Sequence, residues 1–251
     1  MKYALAVNRV TDNLNFNVNL ILEYIQEAKK NHADFIIFPE CCITGLINND
    51  IPEHDLALGI TENSNIIRTI CKFAMQNEIY VSIGFFELDN KFLYDSTICI
   101  DSFGNIISKY RRMSDGWHGS NVDKKVYKQG IDIATFNIEN KKYSYLLCGD
   151  LFDNIIADKV RKENIDILIF PFARTLNDGD VSQRRWDTEE MPYYIEQISK
   201  IGALTLMVNY VKNSSNTRNY FFGGAYVVDK SGEIIAQKDI EDAGILYFEA
   251  N

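Results

Sequence analysis

The chain has 251 residues, 46% hydrophobic and 24% charged, which suits one large layered domain with a sizeable core. Its formal net charge of −9 argues against nucleic acid or an anionic membrane as the main partner, since the basic cluster of Lys109, Arg111 and Arg112 is short. No apolar run approaches membrane-spanning length, the N-terminus reads as a strand rather than a secretion signal, and five cysteines with three scattered histidines form no zinc pattern. A reduced, cytoplasmic, soluble protein is expected.

In chain order, residues 3–8 alternate as a strand, and Asp12 or Asn13 can cap a helix whose apolar stripe runs through Val18, Ile21, Leu22 and Ile25 to about Lys30. Phe35-Ile36-Ile37-Phe38 is the continuous apolar run of a strand buried on both faces, ending at Pro39-Glu40. A helix over about 63–77 leads to a strand at 80–86. Turns at Asp89-Asn90-Lys91 and Asp101-Ser102-Phe103-Gly104-Asn105 then join strands at 93–100 and 106–110.

The second half has a similar rhythm. A hairpin at Glu139-Asn140-Lys141 joins strands near 132–138 and 143–147, followed by a helix over about 152–163 and a buried strand at 167–170 that ends at Pro171. A long helix over about 185–201, a strand at 204–209, a hairpin of 221–229 with 233–238 and a last strand at 244–248 complete the order. The unit near 3–38 resembles the one at 143–170, and no linker divides the chain. The simplest layered solution is an α/β fold in one domain over 1–251: two mixed sheets face to face with helices outside.

The segment Tyr145-Leu146-Leu147-Cys148-Gly149-Asp150 reads as a strand running out at a cysteine, followed at once by a glycine and a helix start. Backbone N–H groups are unpaired at such an elbow and the helix dipole is positive, so a thiolate is favoured there. Gly149 allows a substrate carbonyl close to the backbone. A buried cysteine at a strand end is also an ordinary small packing residue, so the elbow alone decides nothing.

Its company is more specific. Phe38-Pro39-Glu40 follows a buried strand, Lys109-Tyr110-Arg111-Arg112 follows a turn, Cys148-Gly149-Asp150 comes next, and Asn209 closes a later strand before the Phe222-Gly223-Gly224-Ala225-Tyr226 hairpin. This ordered set, over nearly the whole chain, resembles the nitrilase superfamily of carbon–nitrogen hydrolases. The resemblance implies a four-layer αββα sandwich and hydrolysis of amides or nitriles by a Glu, a Lys and a Cys through a covalent thioester. It also implies at least a homodimer.

On that resemblance Glu40 matches the general base and Cys148 the nucleophile, with the Gly149 N–H as an oxyanion donor. The family often has an aromatic residue where Gly149 stands, which implies a roomier pocket. Arg112, not a lysine, falls on the catalytic lysine position. Lys109, three residues away on an extended chain, is expected to face the other way. Arginine keeps the charge but is bulkier and shuttles no protons at ordinary pH.

Three readings of this departure stand: Arg112 substitutes for the lysine, another cation such as Lys124 or Lys125 reaches in, or the site binds without efficient turnover. Asp123 is the nearest match to a second family carboxylate, and Trp117 is a candidate pocket wall; a solvated charge and a loop-packing residue are the plain alternatives. His118 is a candidate substrate donor or a surface histidine. Trp186 and Asn209 line the cavity by analogy or serve core and capping roles, and Asp150 reads as a helix-start residue.

The expected activity is hydrolysis of a small linear amide with no metal or organic cofactor. The alternatives are a non-catalytic relative that binds a small molecule or a protein, and a glutaminase-type subunit of a larger enzyme. Loops at 42–62, 113–130 and 172–184 are expected to shape the pocket.

Overall fold

The computed structural model describes residues 1–175, 181–212 and 220–250. The first sheet has the order β13-β1-β2-β3-β4-β5: Gly244–Glu249, Lys2–Val7, Phe35–Ile37, Tyr80–Asp89, Phe92–Ile100 and Ile106–Arg111. The second has the order β10-β11-β9-β8-β7-β6: Val211–Lys212, Phe221–Val228, Leu204–Val208, Ile167–Pro171, Lys141–Tyr145 and Thr135–Ile138. Strand β12 (Ile234–Ile240) pairs with β11.

Period-two alternation assigns the layers. Tyr3, Leu5, Val7, Phe35 and Ile37 from the first sheet share a buried cluster with Tyr143, Tyr145, Ile167, Ile169, Leu206 and Val208 from the second. The intervening residues Ala4, Ala6, Ile36, Val81 and Ile83 point outward, against Ile21 and Ile25 of α1 (Leu14–Lys30) and Ile67 and Ile70 of α3 (Asn65–Asn77). On the other side Leu168, Phe170 and Met207 meet Ile156 and Val160 of α4 (Asn154–Lys162) and Tyr194 and Ile198 of α6 (Met191–Ile201). The result is the expected αββα sandwich.

Both halves contain parallel crossovers. β1, β2 and β3 run parallel, as do β7, β8 and β9. The chain leaves β7 and β8 at one end of the second sheet. β2 ends there too, since Glu40 just past it meets Arg112 and the strand end bearing Arg112 is bonded to Asp150. Open α/β sheets place their ligands at such an end.

Three local features differ from the expected elements. The long helix begins as α5 (Gln183–Arg185) and passes through a π-helical turn at Trp186–Glu190 before α6, because Pro192 has no N–H to continue the ladder. The segment after Cys148 is a 3₁₀ turn, Cys148–Phe152, and α4 starts only after Asp153, whose side chain accepts from the N–H groups of Ile155 and Ile156. A short helix, α2 (Pro52–Leu58), starts at Pro52 within the loop expected at 42–62. Of the loop expected at 172–184, residues 176–180 lie outside the described residues.

Candidate functional site

Glu40 sits just past the end of β2, fully buried. The turn that carries it lies flat on β3 at Gly84, where a Cβ would stand 2.7 Å from the Cys41 nitrogen and 3.0 Å from the Pro39 carbonyl. Only glycine permits that approach, so Gly84 sets the height of the carboxylate above the sheet.

The cation is set by the pleat of β5. Lys109 and Arg111 point to one face, where both pair with the buried Glu87. Tyr110 and Arg112, both buried, point to the other. Lys109 Nζ also meets Glu62 Oε2 at 2.7 Å and is committed away from Glu40. Arg112 Nη1 donates to Glu40 Oε1 at 2.9 Å, and Arg112 Nε donates to Ser114 Oγ at 3.0 Å. Nη2 has no acceptor among the described residues. It lies where a Cβ on Gly149 would approach to 2.6 Å and one on Gly116 to 2.8 Å. Two glycines thus make the space that a guanidinium needs beyond an ammonium.

Cys148 opens the 3₁₀ turn with φ 41°, a left-handed conformation that costs a non-glycine residue about 1–3 kcal/mol and clusters at functional sites. The residue keeps some surface exposure, but its thiol is buried and pushed up to about 12, first by desolvation and then by the Glu40 charge, with Arg112 opposing. It therefore rests as a thiol and needs a base. Burial, and then the neighbouring Asp95, raise Glu40 well above the usual carboxylate range while Arg112 pulls it down. Burial opposes the charge on Arg112, but Glu40, Cys148 and Asp95 outweigh it and hold the guanidinium protonated.

Asp150 ties these parts together. Its Oδ1 accepts from the N–H groups of Met113 at 3.1 Å and Ser114 at 2.7 Å; its Oδ2 accepts from Tyr110 Oη at 2.7 Å and Leu147 N–H at 3.1 Å. It is more than the helix-start residue expected, because it fastens the Cys148 elbow to the strand end that bears Arg112. Sequence reasoning missed Asp95 altogether. The ladder pairs Ser96 with Arg111, which sets Asp95 opposite Arg112 on the inward face, and Arg112 N–H donates to the Asp95 carbonyl at 2.8 Å. The available signal was a carboxylate in the interior of a strand that becomes fully buried.

The other candidates separate clearly. Asp123 is corrected: it is exposed, and its Oδ1 accepts from Lys125 N–H in a turn that also takes Val126 and Tyr127 N–H on the Asp123 carbonyl. Lys124 and Lys125 are exposed and make no ion pair with Glu40 among the described residues. Trp117 is buried against Phe86 and Tyr127 in a cluster that includes Cys41, so it backs the turn beside Glu40. His118 is half-buried and both ring nitrogens are engaged, Nδ1 with the Gly119 carbonyl and Nε2 with Gln129. Trp186 is in the outer core between Phe172, Tyr194 and Phe222. Asn209 pins the segment after β8 by exchanging hydrogen bonds with the backbone of Arg174.

The surface of the described residues carries two clefts, of which one adjoins this region. One of about 590 Å³, lined by Met113, Ser114, His118, Lys124 and Gln129, opens beside the loop after Arg112. A second of about 640 Å³ lies at the opposite end of the sandwich, around Tyr3, Tyr143, Ile167 and Leu204, remote from Cys148. Among the described residues no group of His, Cys, Asp and Glu is arranged to hold a metal ion, and no helix is long and apolar enough to cross a membrane.

A four-layer sandwich of this topology, with Glu40, Arg112 and Cys148 gathered at one end, has the fold of nitrilase-type amidases. The chain belongs to the carbon–nitrogen hydrolase family, whose model matches residues 4–251. It is 27% identical over 243 residues to a deaminated glutathione amidase of Dictyostelium discoideum, covering 90% of this chain and 79% of that protein. It is 25% identical over 268 residues to an aliphatic nitrilase of Rhodococcus rhodochrous, covering 92% and 67%. The solved amidase of Nesterenkonia sp. AN1 superposes with a TM-score of 0.81 at 15% identity, over 100% of this chain and 93% of that one.

Proposed function

We propose that the protein hydrolyses a small linear amide through a thioester on Cys148. The observation that carries this reading is the buried Glu40–Arg112 pair, 2.9 Å across, held by Asp150 against a strained cysteine elbow. Family membership supports a hydrolase of carbon–nitrogen bonds, and the amidases among its relatives support an amide as the bond cleaved.

In the first half-reaction Glu40 takes the Cys148 proton as sulfur attacks the amide carbon. The carbonyl π electrons move to oxygen, which receives hydrogen bonds from Arg112 Nη2 and the Gly149 N–H. Glu40 then returns the proton to nitrogen, the C–N bond breaks, and the amine leaves. In the second half-reaction Glu40 takes a proton from water, hydroxide adds to the thioester, the C–S bond breaks, and the sulfur recovers the proton. Arginine meets the oxyanion with a charge it never gives up, so Glu40 alone handles protons.

The substrate is a small molecule, the working unit is a homodimer or larger homo-oligomer, and nucleic acid and membranes have no part in the reaction. The test is to incubate the protein with a panel of small amides and nitriles and to look for an acyl adduct by intact mass. An adduct on the wild type that is absent from Cys148→Ala supports the assignment. An adduct that persists in Cys148→Ala would overturn it.

A further inference from the structure

Glu40 and Asp95 are both essentially inaccessible to water, yet they share a single guanidinium. Arg112 Nη1 stands 2.9 Å from Glu40 Oε1 and 3.7 Å from Asp95 Oδ2. Cys41 Sγ donates to Asp95 Oδ1 at 3.4 Å. The two oxygens left without a donor are Glu40 Oε2 and Asp95 Oδ2. Both carboxylates reach the same Arg112 nitrogen within 4 Å, so they are close neighbours in a site closed to water. Ionised carboxylates only accept, so two of them at that range repel unless one carries a hydrogen.

We propose that Asp95 is a positioning residue that holds one proton and donates it to Glu40 Oε2, keeping Glu40 ionised and oriented for the Cys148 thiol. This rests on the hydrolase reading above for its kinetic consequences, though the shared proton does not. With the proton on Asp95, the buried set of Arg112, Glu40, Asp95 and the Cys148 thiol is neutral. Without it, a buried excess negative charge has no counterion. The proton on Asp95 stays in place through both half-reactions, while the proton that Glu40 takes and returns comes from Cys148 or water.

Two effects compete over which carboxylate keeps the proton. Burial and then the Asp95 charge raise Glu40 well above the usual carboxylate range. Arg112, however, stands 2.9 Å from Glu40 and 3.7 Å from Asp95, and that closer contact favours the negative charge on Glu40. Burial raises Asp95, and Asp150 adds to the shift, while Glu40, Arg112 and Cys41 oppose it through hydrogen bonds or charge. On top of burial, an ionised Asp95 would raise Tyr110 and Cys148 as well, an effect the proton removes, and Tyr210 lies near Cys41 and Glu40. Asp150 cannot serve as the proton holder, because its two oxygens already receive four donors. A third ligand for the guanidinium also gives a reason for arginine at this position: a planar fork can face two carboxylates and Ser114 at once.

The experiment compares wild type, Asp95→Asn and Asp95→Ala by the pH dependence of kcat/KM and by infrared spectra of the unliganded proteins near neutral pH. In the wild type, activity should fall on the acid side when Glu40 is protonated and on the alkaline side when the shared proton is lost. Asparagine mimics the protonated acid and cannot lose that proton. Asp95→Asn should therefore keep the acid limb, move the alkaline limb upward, and retain activity within roughly tenfold. Asp95→Ala should lower kcat more than it changes KM.

The wild-type spectrum should contain a protonated-carboxyl band that is missing from Asp95→Asn. Superimposable pH profiles for wild type and Asp95→Asn, or identical spectra in the carboxyl region, would overturn the proposal. A wild type that hydrolyses no amide but shows the band would sink the hydrolase reading while supporting the shared proton.

Discussion

Arg112 Nη1 donates to Glu40 Oε1 across 2.9 Å, and its other terminal nitrogen is seated against the bare Cα of Gly149. The two departures that the sequence makes from its family, a guanidinium for an ammonium and a glycine after the nucleophile, therefore occupy the same space. They are one structural change, not two.

The first consequence concerns Gly149. A Cβ there would stand 2.6 Å from Arg112 Nη2 and 3.0 Å from Ser114 Oγ, so Gly149→Ala must push the guanidinium out of place. Misplacing one oxyanion donor costs about 10²–10³ in rate. The expected result is a loss of that order in kcat with a nearly unchanged thermal midpoint, measured by steady-state kinetics beside a melting curve. Full activity in Gly149→Ala would show that Nη2 does not serve the transition state.

Lys109 supplies the control. Its ammonium pairs with Glu62 and Glu87 on the face away from Cys148. Lys109→Met should leave kcat within about a factor of three while costing on the order of 1 kcal/mol in stability, since the pair is part-exposed. A collapse of kcat in this variant would mean that the register of β5 is misassigned and that the catalytic cation is Lys109.

Asp150 carries a structural load that Asn cannot. Each of its oxygens receives two donors, so the amide of Asp150→Asn must turn an NH₂ toward N–H or O–H groups in either orientation. Leaving such buried donors unpaired costs about 1–3 kcal/mol each. Urea unfolding of Asp150→Asn should show a loss of at least that size, with kcat falling as well because the elbow and the Arg112 strand come apart. A neutral substitution would remove Asp150 from this role.

The Glu40–Asp95 pair also has a signature in stability. Both carboxylates are raised in the folded protein, chiefly by burial, so the folded state holds protons there more tightly than the unfolded chain does. The stabilising effect of that proton binding is present at low pH. It is lost as pH rises from the unfolded carboxylate range through the raised folded values. The thermal midpoint of Asp95→Asn, relative to wild type, should accordingly rise as the buffer is made more alkaline. A difference that is flat with pH would contradict the shifted pair.

Much of this was legible in the residues. The apolar runs 35–38 and 167–170 identified the buried strands, and the spacing of Lys109 from Arg112 told the inward cation from the outward one. The fold of both halves follows from such local patterns. Asp95 and the clamp of Asp150 were hidden for one reason: their roles come from partners far away in sequence. Asp95 acquires meaning only from β4–β5 register and from Glu40, 55 positions earlier by subtraction of the two residue numbers. Asp123 matched a second family carboxylate by analogy alone, whereas its carboxylate accepts from the nearby Lys125 N–H, the local role that its solvated-charge alternative allowed. The π-turn at Trp186–Glu190 was signalled by Pro192 but not read from it.

Glu40→Gln should cost activity by several orders of magnitude, because the amide keeps the shape and can still meet Arg112 but accepts no proton in either half-reaction. Steady-state turnover and its pH profile check this. An unchanged rate and profile would remove Glu40 from the mechanism.

The central claim is that Arg112 replaces the family's lysine as a working oxyanion donor, and the turnover of Arg112→Lys on the same amide as wild type tests it most directly. An ammonium would leave the space between Gly116 and Gly149 unfilled and would lose the donor to Ser114. The lysine variant should be slower than wild type, with kcat reduced more than KM is raised, because the charge that Arg112 meets develops only in the transition state. A lysine variant on the order of tenfold faster than wild type would contradict the account, since it would reveal a decayed site that the family's original residue repairs.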